Sequence, residues 1–145
     1  MDIISSRTFD VPSMALYDAF AQPKCLARWW GPQGFTNTFH TFDFVPGGAW
    51  VFTMVGPDGT TYEVTKEFVE IVPRERVVLR QVSPLHRFLM TMTFAQQGRG
   101  SRLIWRMTFE PDEQNKRVGE IICNANEENF DRLAALLRMK PPAAG

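Results

Sequence analysis

A chain of 145 residues that is 44% hydrophobic and 22% charged carries enough apolar side chain for one buried core and too much for a disordered tract. Its 16 basic and 16 acidic residues cancel to a formal net charge of +0 without any basic run, which argues against nucleic acid as a partner. No stretch approaches the ~20 apolar residues that span a bilayer, and Cys25 and Cys123 lack the spacing of a disulfide framework or a zinc site.

The expectation is therefore one domain over residues 1–140 followed by a disordered tail at 141–145, in the cytoplasm, with two free thiols. Asp2 to Asp10 reads as a strand that ends at Pro12. Ser13 is placed to cap a helix with Met14, Tyr17 and Phe20 at helical spacing. Pro23 opens a second short helix that runs to Trp29 and Trp30 and stops at Gly31. From Phe35 the pattern alternates, which puts Thr38, His40, Phe42 and Phe44 on one strand face and Asn37, Thr41 and Asp43 on the other.

Pro46-Gly47-Gly48 is a tight connection into a strand with Trp50, Phe52 and Met54 on one face. Gly56-Pro57-Asp58-Gly59 is a hairpin turn into Tyr62 to Val72. Val77 to Val82 follows, then Arg87 to Ala95 with Phe88, Met90, Met92 and Phe94 aligned, then Leu103, Trp105, Met107 and Phe109 beyond the Gly98 and Gly100 turn. Consecutive strands joined by short turns make an antiparallel meander. After Pro111 the period becomes helical, with Val118, Ile122, Ala125, Phe130, Leu133 and Leu137 as a stripe and Asp112 as a candidate cap. A helix of about 25 residues spans roughly 38 Å, enough to cross a sheet.

These elements define an α+β helix-grip fold: a curved antiparallel sheet around a long C-terminal helix, with two short helices after the first strand. An apolar cavity between sheet and helix, lined by Trp50, Phe52, Met90, Met92, Trp105 and Phe130, is the place to look for a ligand. His40 and Asn126 are expected to supply polarity there.

The chemistry-bearing residues are sparse. His40, facing inward, is the candidate acid or base if the protein is an enzyme, although a hydrogen-bonded core histidine is the commoner role. His86 sits at a turn and reads as a surface residue. There is no GxSxG elbow, and Gly98-Arg99-Gly100 leads into a strand, so it cannot seat a phosphate on a helix N-terminus. Glu127 with Asp131, and Glu128 with Arg132, read as a solvated helix face, and Arg106 as solvent-facing between Trp105 and Met107. No metal and no cofactor are expected.

Several short motifs together resemble a known family. They are Phe9-Asp10-Val11-Pro12, Leu26-Ala27-Arg28-Trp29-Trp30-Gly31-Pro32, Asp43 with Pro46-Gly47-Gly48, Gly56-Pro57-Asp58-Gly59, Val72-Pro73 with Glu75-Arg76, and Phe130-Asp131-Arg132-Leu133. In order and spacing the chain is similar to bacterial single-domain homologues of the activator of the heat-shock protein 90 ATPase, within the START-like superfamily. The resemblance implies the helix-grip fold and says less about activity. Relatives often carry a Gly-Trp pair where this chain has Ala125-Asn126, and loss of that indole should widen the cavity.

The leading expectation is a non-enzymatic binder of a small hydrophobic or aromatic molecule. A cyclase or dehydratase in the same pocket is the alternative. A co-chaperone role, which the family name suggests, fits less well, because full activators carry an additional N-terminal domain. A second copy of the chain stays open as a partner.

Overall fold

The computed structural model describes residues 2–82, 87–109 and 113–139, with side chains from 119 to 138 in the last helix. Seven strands form one antiparallel sheet: β1 (Asp2–Phe9), β2 (Thr36–Phe42), β3 (Ala49–Val55), β4 (Thr61–Val72), β5 (Arg76–Gln81), β6 (Phe88–Gln97) and β7 (Gly100–Phe109). The helices are α1 (Ser13–Ala21), α2 (Pro23–Trp29) and α3 (Glu113–Met139). The strand order is β1-β7-β6-β5-β4-β3-β2, so the meander runs without interruption from β2 to β7 and the N-terminal strand closes its far edge. This is the helix-grip arrangement expected from the sequence. Asp112, His86 and the segment 141–145 lie outside the described residues.

Ser13 does not cap α1. Pro12 holds the cap position in extended geometry with no side-chain cap bond, and the Ser13 amide donates to Gln96 Oε1 at 2.8 Å. Gln22 closes α1 and opens α2, with Pro23 at the first turn, where its missing N–H is no loss. Gly31 then turns the chain at φ 97°, and a Cβ there would lie 2.6 Å from Met54 Cε, so only glycine fits without displacing that side chain. At Gly48 a Cβ would overlap the Asp43 carbonyl oxygen, which explains the tight Pro46-Gly47-Gly48 connection.

Strict alternation fails in β2. A bulge between Phe39 and Thr41 breaks the register against β3, so Phe39 and Phe42 point the same way although they are three residues apart. Their rings stack at 5.8 Å over Trp50 and Phe52, while His40 is exposed on the outer face. A second register shift, between Phe68 and Glu70, interrupts β4; elsewhere alternation buries Phe68, Val77, Leu79, Met90, Met92, Phe94, Leu103, Trp105, Met107 and Phe109 on one face.

In α3 the buried positions are Asn126, Asn129, Phe130, Leu133 and Leu136. The expected stripe is right at Phe130 and Leu133, but Ile122, Ala125 and Leu137 are half-buried and two amides share the inner face.

Candidate functional site

Six of the residues expected to line a cavity do come together. Trp50 and Phe52 on β3, Met90 and Met92 on β6, Trp105 on β7 and Phe130 on α3 are each at most 2% exposed and belong to one apolar cluster. Trp50 stacks on Phe52 at 4.6 Å, and Trp105 meets Phe130 at 4.7 Å. The rings touch one another, so this part of the interior is filled by side chains rather than enclosing a wide open space. Two surface clefts, of about 510 and 540 Å³, lie elsewhere, against β1 and the two ends of α3. The first is lined by Arg7, Phe9, Val11 and Leu137 among others, the second by Ile3 and Cys123.

At the centre of the cluster is Trp30, the residue after α2. Its ring is 5.0 Å from Trp50, 5.3 Å from Trp105 and 5.7 Å from Trp29, so all four tryptophans of the chain meet here. Trp29 is satisfied: its indole N–H donates to the Ala19 carbonyl at 2.9 Å. The indole nitrogens of Trp50 and Trp105 are buried with no hydrogen-bond partner among the described residues. A buried donor left without an acceptor costs about 1–3 kcal/mol, so two such groups in one cluster need a reason.

Lys66 on β4 completes the arrangement. It lies opposite Trp50 on β3 and Gln81 on β5, and is 3% exposed. Its ammonium nitrogen sits 5.6 Å over the Trp30 ring, 5.9 Å over Trp50 and 4.8 Å over Phe88, and donates to Gln81 Oε1 at 2.6 Å. No carboxylate pairs with it among the described residues, and burial lowers its pKa to about 7. Sequence reasoning missed Lys66, although the signal was present: it stands two residues from Val64 and from Phe68, and alternation sends all three to the inner face.

The two polar residues expected in the cavity have other surroundings. Asn126 is 6% exposed, but its amide donates to Ser5 Oγ at 3.1 Å and lies 3.5 Å from Met107 Sδ, tying α3 to β1. His40 is a correction. The bulge turns it outward, where Nε2 lies 2.7 Å from Thr53 Oγ1, and Thr53 in turn donates to Glu63 at 2.9 Å. The single hydroxyl proton goes to Glu63, so His40 is the donor to Thr53. This is the reverse of a base activating a nucleophile, and it lies on the opposite face of the sheet from the tryptophans.

Arg132 departs from the solvated helix pair expected with Glu128. One nitrogen of its guanidinium donates to the carbonyls of Trp30, Gly31 and Pro32, each at 3.0 Å; the other donates to those of Arg28 and Phe35. Asn129 adds both halves of its amide, accepting from the Gly31 N–H and donating to the Trp29 carbonyl. Glu128 accepts from the Gln33 N–H instead. The loop that carries Trp30 is therefore clamped to α3. Glu127 and Asp131 are exposed as expected, although both receive Arg7 from β1, and Arg106 faces solvent and pairs with Asp2.

Among the described residues no group of three or more His, Cys, Asp or Glu side chains could hold a metal ion, and no helix is long and apolar enough to cross a membrane. The family model described as Activator of Hsp90 ATPase homolog 1-like protein matches residues 10–138. No curated protein matches the chain. Among solved structures, a protein from Nitrosomonas europaea is 18% identical, covers 97% of this chain and 96% of its own, and superposes with a TM-score of 0.86. A protein from Arthrobacter aurescens, solved by solution NMR, is 24% identical over 99% of this chain and 89% of its own, with a TM-score of 0.87. The AHSA1 protein from Silicibacter pomeroyi is 22% identical over 96% and 99%, with a TM-score of 0.78. These structural likenesses establish the fold.

Proposed function

This chain belongs to the family of activator of Hsp90 ATPase homolog 1-like proteins, and from that premise we propose that it binds a small hydrophobic or aromatic molecule between sheet and C-terminal helix, through the tryptophan cluster. The observation that supports this reading is the pair of buried indole donors, Trp50 and Trp105, left without acceptors among the described residues inside a largely apolar interior. A molecule with an apolar body and one acceptor satisfies both needs at once: it occupies apolar surroundings and removes an unpaired donor. Met90, Met92 and Met107 adjoin the cluster, and their flexible, unbranched side chains can shift to admit a flat molecule.

The alternative of catalysis through His40 loses its support, because His40 lies on the outer face.

The test uses two probes of similar size, coumarin, which has a carbonyl acceptor, and naphthalene, which has none. Coumarin is expected to bind saturably, to quench tryptophan fluorescence and to raise the melting temperature, since a ligand held only by the folded state stabilises it. Trp50→Phe should weaken coumarin several-fold and leave naphthalene unchanged. If neither probe binds saturably, the reading is wrong.

A further inference from the structure

Three of the polar groups around Trp30 are donors, the Trp50 and Trp105 indoles and the Lys66 ammonium, and among the described residues the ammonium has no counter-ion. Lys66 is 3% exposed, its nitrogen lies against the rings of Trp30, Trp50 and Phe88, and among the described residues it donates to the neutral Gln81 amide. A buried ammonium is ordinarily paired with a carboxylate, because desolvation of an unpaired charge costs several kcal/mol. Among the described residues none is supplied: β3 contributes Trp50, β5 contributes Gln81, β6 contributes Phe88 and the loop after α2 contributes Trp30, none of them titratable in this range. The unpaired indole N–H groups of Trp50 and Trp105 are further donors that a carboxylate, with its four lone-pair sites, accepts from readily.

Resting on the binding reading above and making it more specific, we propose that the ligand is a small apolar acid, whose carboxylate takes the place of the missing counter-ion at Lys66 while its body lies among the tryptophan and methionine side chains. The aromatic faces suit a flat or slender body, and the single cation suits one acidic group rather than two. A neutral ligand of the same shape gains the apolar contacts but lacks the charge-assisted bond, which is about twice as strong as a neutral one. The state of Lys66 adds a distinctive signature. Burial lowers its pKa to about 7 in the free protein, so the amine sheds its proton as pH rises past that value, and pairing with a carboxylate draws a proton back onto it.

The experiment compares cinnamate with cinnamamide, and decanoate with decanamide, by titration calorimetry on the native chain and on Lys66→Met. Runs at about pH 8 in two buffers of different ionisation enthalpy read proton uptake. The expected result is that each acid binds about tenfold tighter than its amide, that the difference vanishes in Lys66→Met, and that acid binding takes up close to one proton. Lys66→Met keeps the length and apolar stem of the side chain. Should it fail to fold, the proton uptake of the native chain still decides. If the amides bind and the acids bind no tighter, or bind tighter without proton uptake, the assignment to Lys66 is overturned while the binding reading stands. An acid preference that survives Lys66→Met overturns it equally. If neither acids nor amides bind, both readings fall together.

Discussion

Two buried polar regions of this molecule, separated by a few residues of chain, are built in opposite ways. Where α3 meets the loop after α2, nearly every polar atom has a partner: Arg132 donates to five carbonyls and Asn129 uses both ends of its amide. Around Trp30 itself, among the described residues, two indole donors have no acceptor and a lysine has no counter-ion. Polar groups that serve the fold are satisfied by the fold, as in the clamp. Groups left open at a cost to stability are the places where a protein gives up stability for function. The clamp also positions the open region, because it fixes the backbone of Trp30 and Gly31 against the helix.

The largest effect expected from breaking this comparison is at the clamp. Arg132→Met leaves carbonyls of residues 28 to 35 without their shared donor, and we expect a loss of about 4 kcal/mol, measured as a fall in the urea midpoint at unchanged slope. Arg132→Lys should recover only part of it, since an ammonium cannot reach carbonyls on both sides as the planar fork does. A loss below about 1 kcal/mol in Arg132→Met would mean that water replaces the guanidinium and that the clamp is incidental.

A change at Lys66 should act in the other direction. Its pKa in the folded chain is about 7, against an ordinary value of 10.5. Between these values the unfolded chain holds a proton that the folded chain does not, so stability rises with pH across the window. The penalty is complete below the folded pKa and gone above the unfolded one. Lys66→Met removes it and should stabilise the protein by on the order of 3 kcal/mol at about pH 6, less at each step upward, and little near pH 10. Denaturant unfolding at several pH values reads this directly. The absence of any gain at about pH 6 would show that Lys66 is paired in the native state.

The architecture was legible in the sequence because alternation and helical spacing report burial, and Trp50, Trp105, Met90, Met92, Met107 and Phe130 are buried as that pattern implies, although Met14, expected on the apolar stripe of α1, is exposed. His40 was misplaced because one bulge in β2 shifts every later residue to the other face, and nothing in Phe39-His40-Thr41-Phe42 marks it beyond a second aromatic out of step. Arg132 was taken for surface because guanidinium groups usually are, and Asn129 was not singled out at all. Their partners are backbone carbonyls of residues about a hundred positions away, which no local pattern records. Lys66 had the right period and was passed over because lysine is so rarely buried.

The smallest effect is the sharpest test of the contrast, because it compares one residue type in both states. Trp29 and Trp50 are each at most 1% exposed and lie within the same cluster, but Trp29 donates to the Ala19 carbonyl and Trp50 donates to nothing described. Replacing either by Phe removes the same atoms, so the lost apolar area and the void left behind are similar and largely cancel between the two variants. What does not cancel is the hydrogen bond. Trp29→Phe loses it and leaves the Ala19 oxygen without that donor, whereas Trp50→Phe removes an unpaired N–H and relieves its desolvation. Trp29→Phe is therefore expected to be the less stable of the two by about 1–2 kcal/mol, as read from paired urea titrations of ligand-free protein. Equal stabilities would mean that the Trp50 nitrogen already has an acceptor in the free protein, and the region around Trp30 would then be closed like the clamp rather than open to a ligand.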